Sequence, residues 1–86
     1  MLEDLVCAAN KVVGIKQVTK EAQNGRLLRI YAAMDADLEI RRQIDELAED
    51  FRIELVHIST RKELGEACGI KVPAACAGLL KEEEGQ

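Results

Sequence analysis

The sequence predicts an α/β fold, a three-layer α/β/α sandwich with a small mixed sheet between helices. Two observations predict it. Stretches with apolar residues at helical spacing alternate with short runs of Val, Ile, Leu and Ala bounded by Gly, Asp or Pro. The chain has 86 residues, six Gly and one Pro, which suits one compact domain and leaves no room for two. That domain is assigned to residues 1–80, with residues 81–86 an acidic tail expected to fray.

The elements follow in order. Leu2, Leu5, Val6, Ala9, Val12 and Val13 form one apolar helical stripe, so a first helix is expected to run to Gly14. A short, mostly exposed second helix covers Lys16 to Asn24, where Val18 and Ala22 lie four apart and Asn24-Gly25 supplies a left-handed stop. Arg26 to Met34 reads as a buried strand between Gly25 and the Asp35-Ala36-Asp37 turn. Ile40, Ile44, Leu47, Ala48 and Phe51 give a third helix over residues 38–51, which Asp37 can cap. Ile53 to Ile58 is a second strand. Thr60 and Glu63 make a capping box for a fourth helix that stops at Gly69. The run Ala74 to Leu80 is ambiguous by composition; being short and following a loop, it is assigned as a central strand.

Composition narrows the function. Aromatics are 2% of the chain, Tyr31 and Phe51, which nearly excludes base stacking on an aromatic platform. No stretch approaches the roughly 20 apolar residues of a membrane span, and the start Met1-Leu2-Glu3-Asp4 lacks the basic-then-apolar pattern of a leader, so a soluble cytoplasmic protein with no membrane partner is expected. Cys7, Cys68 and Cys76 are odd in number and lack C-x-x-C spacing, which argues against a disulfide framework. With His57 the sole histidine, a zinc site is not expected, nor any other metal or cofactor. Neither G-x-x-x-x-G-K-[ST] nor G-x-G-x-x-G occurs. Asp35 and Asp37 are read as a cap and dipole complement rather than acid–base pair. No nucleophile, base and orienting group can be assembled, so the chain is not expected to be an enzyme.

The net charge is −4, but the charge is unevenly placed. Residues 11–34 carry five bases (Lys11, Lys16, Lys20, Arg26, Arg29) against Glu21, whereas residues 35–50 carry seven acids against Arg41 and Arg42. A molecule with one basic and one acidic segment can draw phosphate to one face while the rest stays solvated.

Two constellations stand out. Gly14-Ile15-Lys16-Gln17-Val18-Thr19-Lys20 puts Lys16 and Lys20 on one side of a helix start, where free N–H groups and the positive dipole end suit phosphate. Gln17 can donate and accept together, as reading a base edge requires. A solvated helix face would present the same letters. The second constellation is Leu64-Gly65-Glu66-Ala67-Cys68-Gly69-Ile70-Lys71-Val72 before Pro73. Its apolar loop residues either tuck into the core or form a lip for an unstacked base or a partner.

With these segments, the chain resembles the kink-turn-binding ribosomal protein family (the seven-Ae and thirty-e type), most closely its short bacterial members. The resemblance rests on G-x-K-Q-V-x-K at Gly14 to Lys20, the strand from Leu28 ending in Ala-x-x-Asp at Asp35, and L-G-x-A-C-G-I-x-V at Leu64 to Val72. These occur in order and at family spacing, and similarity covers about residues 2–80.

The resemblance implies a protein that binds kink-turn RNA, a bent internal loop with tandem sheared G·A pairs and one flipped-out nucleotide. Carried over, the second helix enters the groove at the G·A pairs. Gly14 permits close backbone approach, and Lys16, Gln17 and Lys20 meet guanine edges and phosphates. Ile70, Lys71 and Val72, with Pro73 beside them, form the loop that covers the extruded base, and Arg61 and Lys62 supply further backbone contacts. Archaeal members commonly have Asn-Glu where this chain has Lys16-Gln17, a change that adds positive charge. Leu38 replaces a frequent Pro, and Phe51-Arg52 stands where a Gly is usual. The expected protein is a ribosomal or ribosome-associated monomer with structured RNA as its partner. The alternative is a protein-interaction module on the same fold, docking through the acidic third helix from Asp37 to Asp50.

Overall fold

A computed structural model describes residues 2–8 and 10–81. The elements in chain order are α1 (Leu2–Cys7), β1 (Lys11–Val13), α2 (Ile15–Gln23), β2 (Leu27–Ala33), α3 (Leu38–Phe51), β3 (Glu54–Ile58), α4 (Arg61–Ala67) and β4 (Cys76–Leu80). The four strands form one mixed sheet in the order β1-β4-β2-β3. β4 is antiparallel to both neighbours, and β2 runs parallel to β3. The α/β/α sandwich expected from the alternation of elements is therefore the observed fold.

Each face of the sheet is covered by a pair of helices. On one side Tyr31, Ala33 and Ala77 of the sheet pack with Leu5 of α1 and with Leu64 and Ala67 of α4. On the other, Ile30, Ala32 and Cys76 pack with Val18 and Ala22 of α2 and with Ile44 and Ala48 of α3. The strict alternation of Ile30, Tyr31, Ala32 and Ala33 between the two cores is the period-2 rule of a strand covered on both sides. β4 is central, as its short apolar run suggested. Its Cys76, Ala77 and Gly78 are buried, and their small size leaves room for helices on both faces. At Gly78 an added methyl would meet Leu27 and Val12 side chains, with Val18 Cγ2 3.6 Å away.

One sequence expectation is corrected. The first helix does not continue to Gly14: α1 stops at Cys7, and Lys11–Val13 form the edge strand β1. The spacing of Val12 and Val13 fits a helical stripe by coincidence; as β-branched residues next to a ladder partner they pair instead with Gly78 and Ala77. Ala9, the stripe residue before Val12, lies outside the described residues, as does the tail beyond Lys81. The remaining elements fall within a few residues of expectation, and α3 spans 38–51 as read.

The caps are also partly rearranged. Thr60 Oγ1 accepts from Glu63 N at 3.1 Å, the expected cap of α4. Asp37 occupies the N-cap position of α3 but makes no side-chain cap bond. The working carboxylate is Asp35, whose Oδ1 accepts from Arg61 N at 2.8 Å, 26 residues away. It thus ties the end of β2 to the start of α4 rather than serving its own helix.

Candidate RNA-binding end of the sheet

The strand directions gather the candidate residues. β1, β2 and β3 run the same way and β4 runs opposite, so the carboxyl ends of three strands and the start of the fourth share one end of the sheet. α2, α3 and α4 all begin there, and the loop 69–75 enters β4 there. Backbone hydrogen bonds join these parts laterally: Gly14 N to Cys76 O (3.0 Å), Ala33 N to Ala75 O (2.9 Å) and Met34 N to Ile58 O (2.8 Å). The entrance of α2 is therefore bonded to the strand that the loop feeds, so the basic helix start and the apolar loop emerge at the same end.

Three helix N-termini at one end concentrate partial positive charge, but two are already compensated. α3 has Asp37 and Glu39 at its start, and α4 has Glu63 in its first turn and Asp35 on Arg61 N. α2 has no acid in its first turn and no side-chain cap. Its N-cap, Gly14, lies at φ 96° and ψ 154°, a conformation that is nearly glycine-only. A Cβ at Gly14 would meet nothing within 4 Å, so the backbone here faces open space. The first-turn N–H groups of α2 are the uncompensated donors of this end of the molecule.

The distribution of cations sharpens this picture. Of the five bases in residues 11–34, Arg29 donates from Nε to Glu54 at 2.6 Å and from Nη1 to Asp4 at 2.9 Å. These bonds hold its guanidinium even more firmly protonated than usual. Arg26 lies 3.6 Å from Glu21, and Lys11 Nζ donates to Leu5 O at 3.2 Å. The side chains of Lys16 and Lys20 have no ion pair or hydrogen bond among the described residues and are exposed. Gln17 is exposed between them. The basic segment thus reduces to two free ammonium groups one helical turn apart at the uncapped helix start.

The loop divides its apolar residues between the two readings of the sequence. Ile70 is half-buried and packs against the α1/α4 core, so it tucks inward. Val72 is 62% exposed and forms the outward tip. Lys62, Glu66, Ile70, Lys71, Val72 and Pro73 line a recess of about 440 Å3 on the α4 side of this loop. The loop is held by Ile70 N to Gly65 O (3.1 Å) and Ala74 N to Arg61 O (3.0 Å). Gly65, in the middle of α4, is required here: an added methyl would overlap the Val72 carbonyl oxygen. Arg61 is not a free cation, since its Nε lies 3.6 Å from Asp35. Lys62 and Lys71 are exposed without such partners among the described residues.

The two buried thiols are held protonated rather than activated. Burial raises the Cys68 thiol, and burial with Cys68 nearby pushes Cys76 up to about 11, the opposite of an activated thiol. His57 is exposed on the edge strand β3. Among the described residues no group of three or more His, Cys, Asp or Glu could hold a metal, and no helix is long and apolar enough to cross a membrane.

Two contributions were not read from the sequence. Asp35 acts across 26 residues, which local pattern cannot show. Gln43 of α3 reaches the surface recess beside α2, formed with Ile15, Lys16, Thr19, Lys20 and Gln23; only the packing of two helices brings it there.

Comparison with known proteins agrees with this architecture. The Giardia lamblia 15.5kD RNA binding protein superposes with a TM-score of 0.83 at 25% identity, covering 95% of this chain and 69% of that one. RNA-binding protein TTE2299 of Caldanaerobacter subterraneus subsp. tengcongensis is 42% identical over 71 residues, 83% of this chain and 87% of that protein. RNA-binding protein YbxF of Geobacillus stearothermophilus is 30% identical over 79 residues, covering 92% and 96%. Residues 2–86 match the family described as ribosomal protein L7Ae/L30e/S12e/Gadd45, and with that match over nearly its whole length the chain belongs to this family.

Proposed function

We propose that this chain is a non-enzymatic RNA-binding protein that captures kink-turn RNA, with residues 1–80 acting as one RNA-binding unit. The observation that carries the reading is the uncapped start of α2, the one helix entrance at this end of the sheet with no acid in its first turn, flanked by free Lys16 and Lys20. Relatives named as RNA-binding proteins support it. So does the exposed Val72 on a loop that enters the strand bonded to Gly14. Phosphates of a sharply bent strand would meet the ammonium groups and the N–H groups of α2, Gln17 would meet a base edge, and Val72 would lie against the unstacked nucleotide. The protein acts by population shift: it moves the RNA toward the bent form only by the difference in its affinity for bent and extended states.

The decisive experiment is a gel shift with a kink-turn RNA against the same RNA whose G·A pairs are changed to Watson–Crick pairs. Preference for the intact motif is expected. Equal binding, or none, would overturn kink-turn recognition and favour a protein-interaction role for the acidic α3. The same reading expects a cytoplasmic monomer that sediments with ribosomes or another ribonucleoprotein in gradient fractions.

A further inference from the structure

We propose that the recess between α2 and α3 holds a phosphodiester of the RNA strand leaving the kink, gripped from two helices, with Gln43 as its second-helix contact. The inference rests on the RNA-binding reading above and extends it to a helix outside the α2–loop site. The recess is about 290 Å3 and is lined by Ile15, Lys16, Thr19, Lys20, Gln23 and Gln43. Five of these six side chains end in a hydrogen-bond donor. None of the five has a side-chain hydrogen bond or ion pair among the described residues. No carboxylate among the described residues lines the recess.

The chemistry fits one phosphate rather than a run of them. Lys16 and Lys20 supply charge, while the hydroxyl of Thr19 and the carboxamides of Gln23 and Gln43 supply directed neutral donors. On α3, Glu39 lies one turn before Gln43 and Glu46 one turn after, so a strand running along α3 would meet a carboxylate on either side. The carboxylate-free surface is therefore a single step wide and continuous with the uncapped turn of α2, where the same backbone would pass.

The test measures binding of the full chain and its Gln43→Met and Gln43→Glu variants to two kink-turn RNAs. In one, both stems are extended by a full turn; in the other, they are trimmed to the motif. Gln43→Met keeps length and neutrality but removes the donor. It should weaken binding to the extended RNA about three- to fivefold, with unchanged salt dependence, and leave the trimmed RNA unaffected. Gln43→Glu should weaken the extended complex more. If Gln43→Met binds both RNAs as the unsubstituted protein does, the subsite is overturned. A Watson–Crick control in the extended format separates the two claims. Equal binding to kinked and control RNA overturns the kink-turn reading, while the loss caused by Gln43→Met on extended RNA still decides the recess. Absence of binding to any of these RNAs overturns both.

Discussion

At the scale of single residues, what distinguishes Lys16 and Lys20 from the other three bases of residues 11–34 is that no partner among the described residues uses their charge. Arg29, Arg26 and Lys11 are already engaged, so removing them would disturb the fold before it disturbed a phosphate. Lys20→Ala should therefore weaken kink-turn RNA binding several-fold and lower the slope of log affinity against log salt by roughly one, with unchanged thermal stability. Titrations at several salt concentrations check this, and an unchanged slope would remove Lys20 from the interface. Gly14 belongs to the opposite class, since its backbone and not its side chain matters. At φ 96° and ψ 154° an alanine is strained by about 1–3 kcal/mol, so Gly14→Ala should lose stability of that order in urea unfolding and also bind RNA more weakly. The thiols give a pH prediction. Cys76 is held protonated up to about 11, whereas in the unfolded chain a thiol ionises near 8.5. Between these values the unfolded chain binds fewer protons, so stability falls as pH rises through that window. Replacing Cys76 with Ala should flatten the alkaline decline, which urea midpoints from pH 8 to 11 would reveal.

At the scale of elements, the legible parts of the sequence were those governed by local chemistry. α3 is readable because its apolar spacing holds over four turns and nothing competes with it. α4 is readable because Thr60 and Glu63 cap it by the bond the pattern implies. The β1 segment was not readable: three residues are too few to show a strand period, and what makes Val12 and Val13 a strand is the small central β4 beside them. Likewise the candidate site's helix start could be named from its letters, but the cancellation of Arg29 and Arg61 by acids far along the chain could not. The departure at Phe51-Arg52 acquires a structural meaning here. Arg52 is the left-handed cap of α3, at φ 54° and ψ 49°, and the one non-glycine residue with positive φ among those described. A side chain there is disfavoured by roughly 1–2 kcal/mol, part of which glycine would return through its freer unfolded state. Arg52→Gly should accordingly stabilise the protein by about 0.5–1 kcal/mol and leave RNA affinity unchanged. In α4 glycine is required instead: Gly65→Ala would drive a methyl against the Val72 carbonyl, shifting the loop. Both stability and RNA affinity should fall, and Lys62→Ala in the same helix should change only affinity.

At the scale of the whole molecule, the sheet separates a binding end from a fastening end. Arg29 sits near the start of β2, whereas the site gathers at its other end around Ala33 and Ala75. Its guanidinium joins three elements at once, bonding Asp4 of α1, Glu54 of β3 and the hydroxyl of Tyr31 in its own strand, at 2.9, 2.6 and 3.1 Å. Its two carboxylate partners are about half exposed, which screens the pairs, so the fastening is worth less than its short distances suggest. Arg29→Met should destabilise the fold by about 1–2 kcal/mol, since charged hydrogen bonds are lost while the aliphatic stem is kept. Because that charge is spent within the protein, the affinity for kink-turn RNA and its salt slope should stay as they are when measured well below the lowered melting temperature. A variant that melted earlier but bound RNA with the same slope would demonstrate that the positive potential sensed by RNA comes from the α2 end. If instead the slope fell by as much as in Lys20→Ala, the basic segment would be acting as one diffuse field, and the assignment of the site to a single helix entrance would fail.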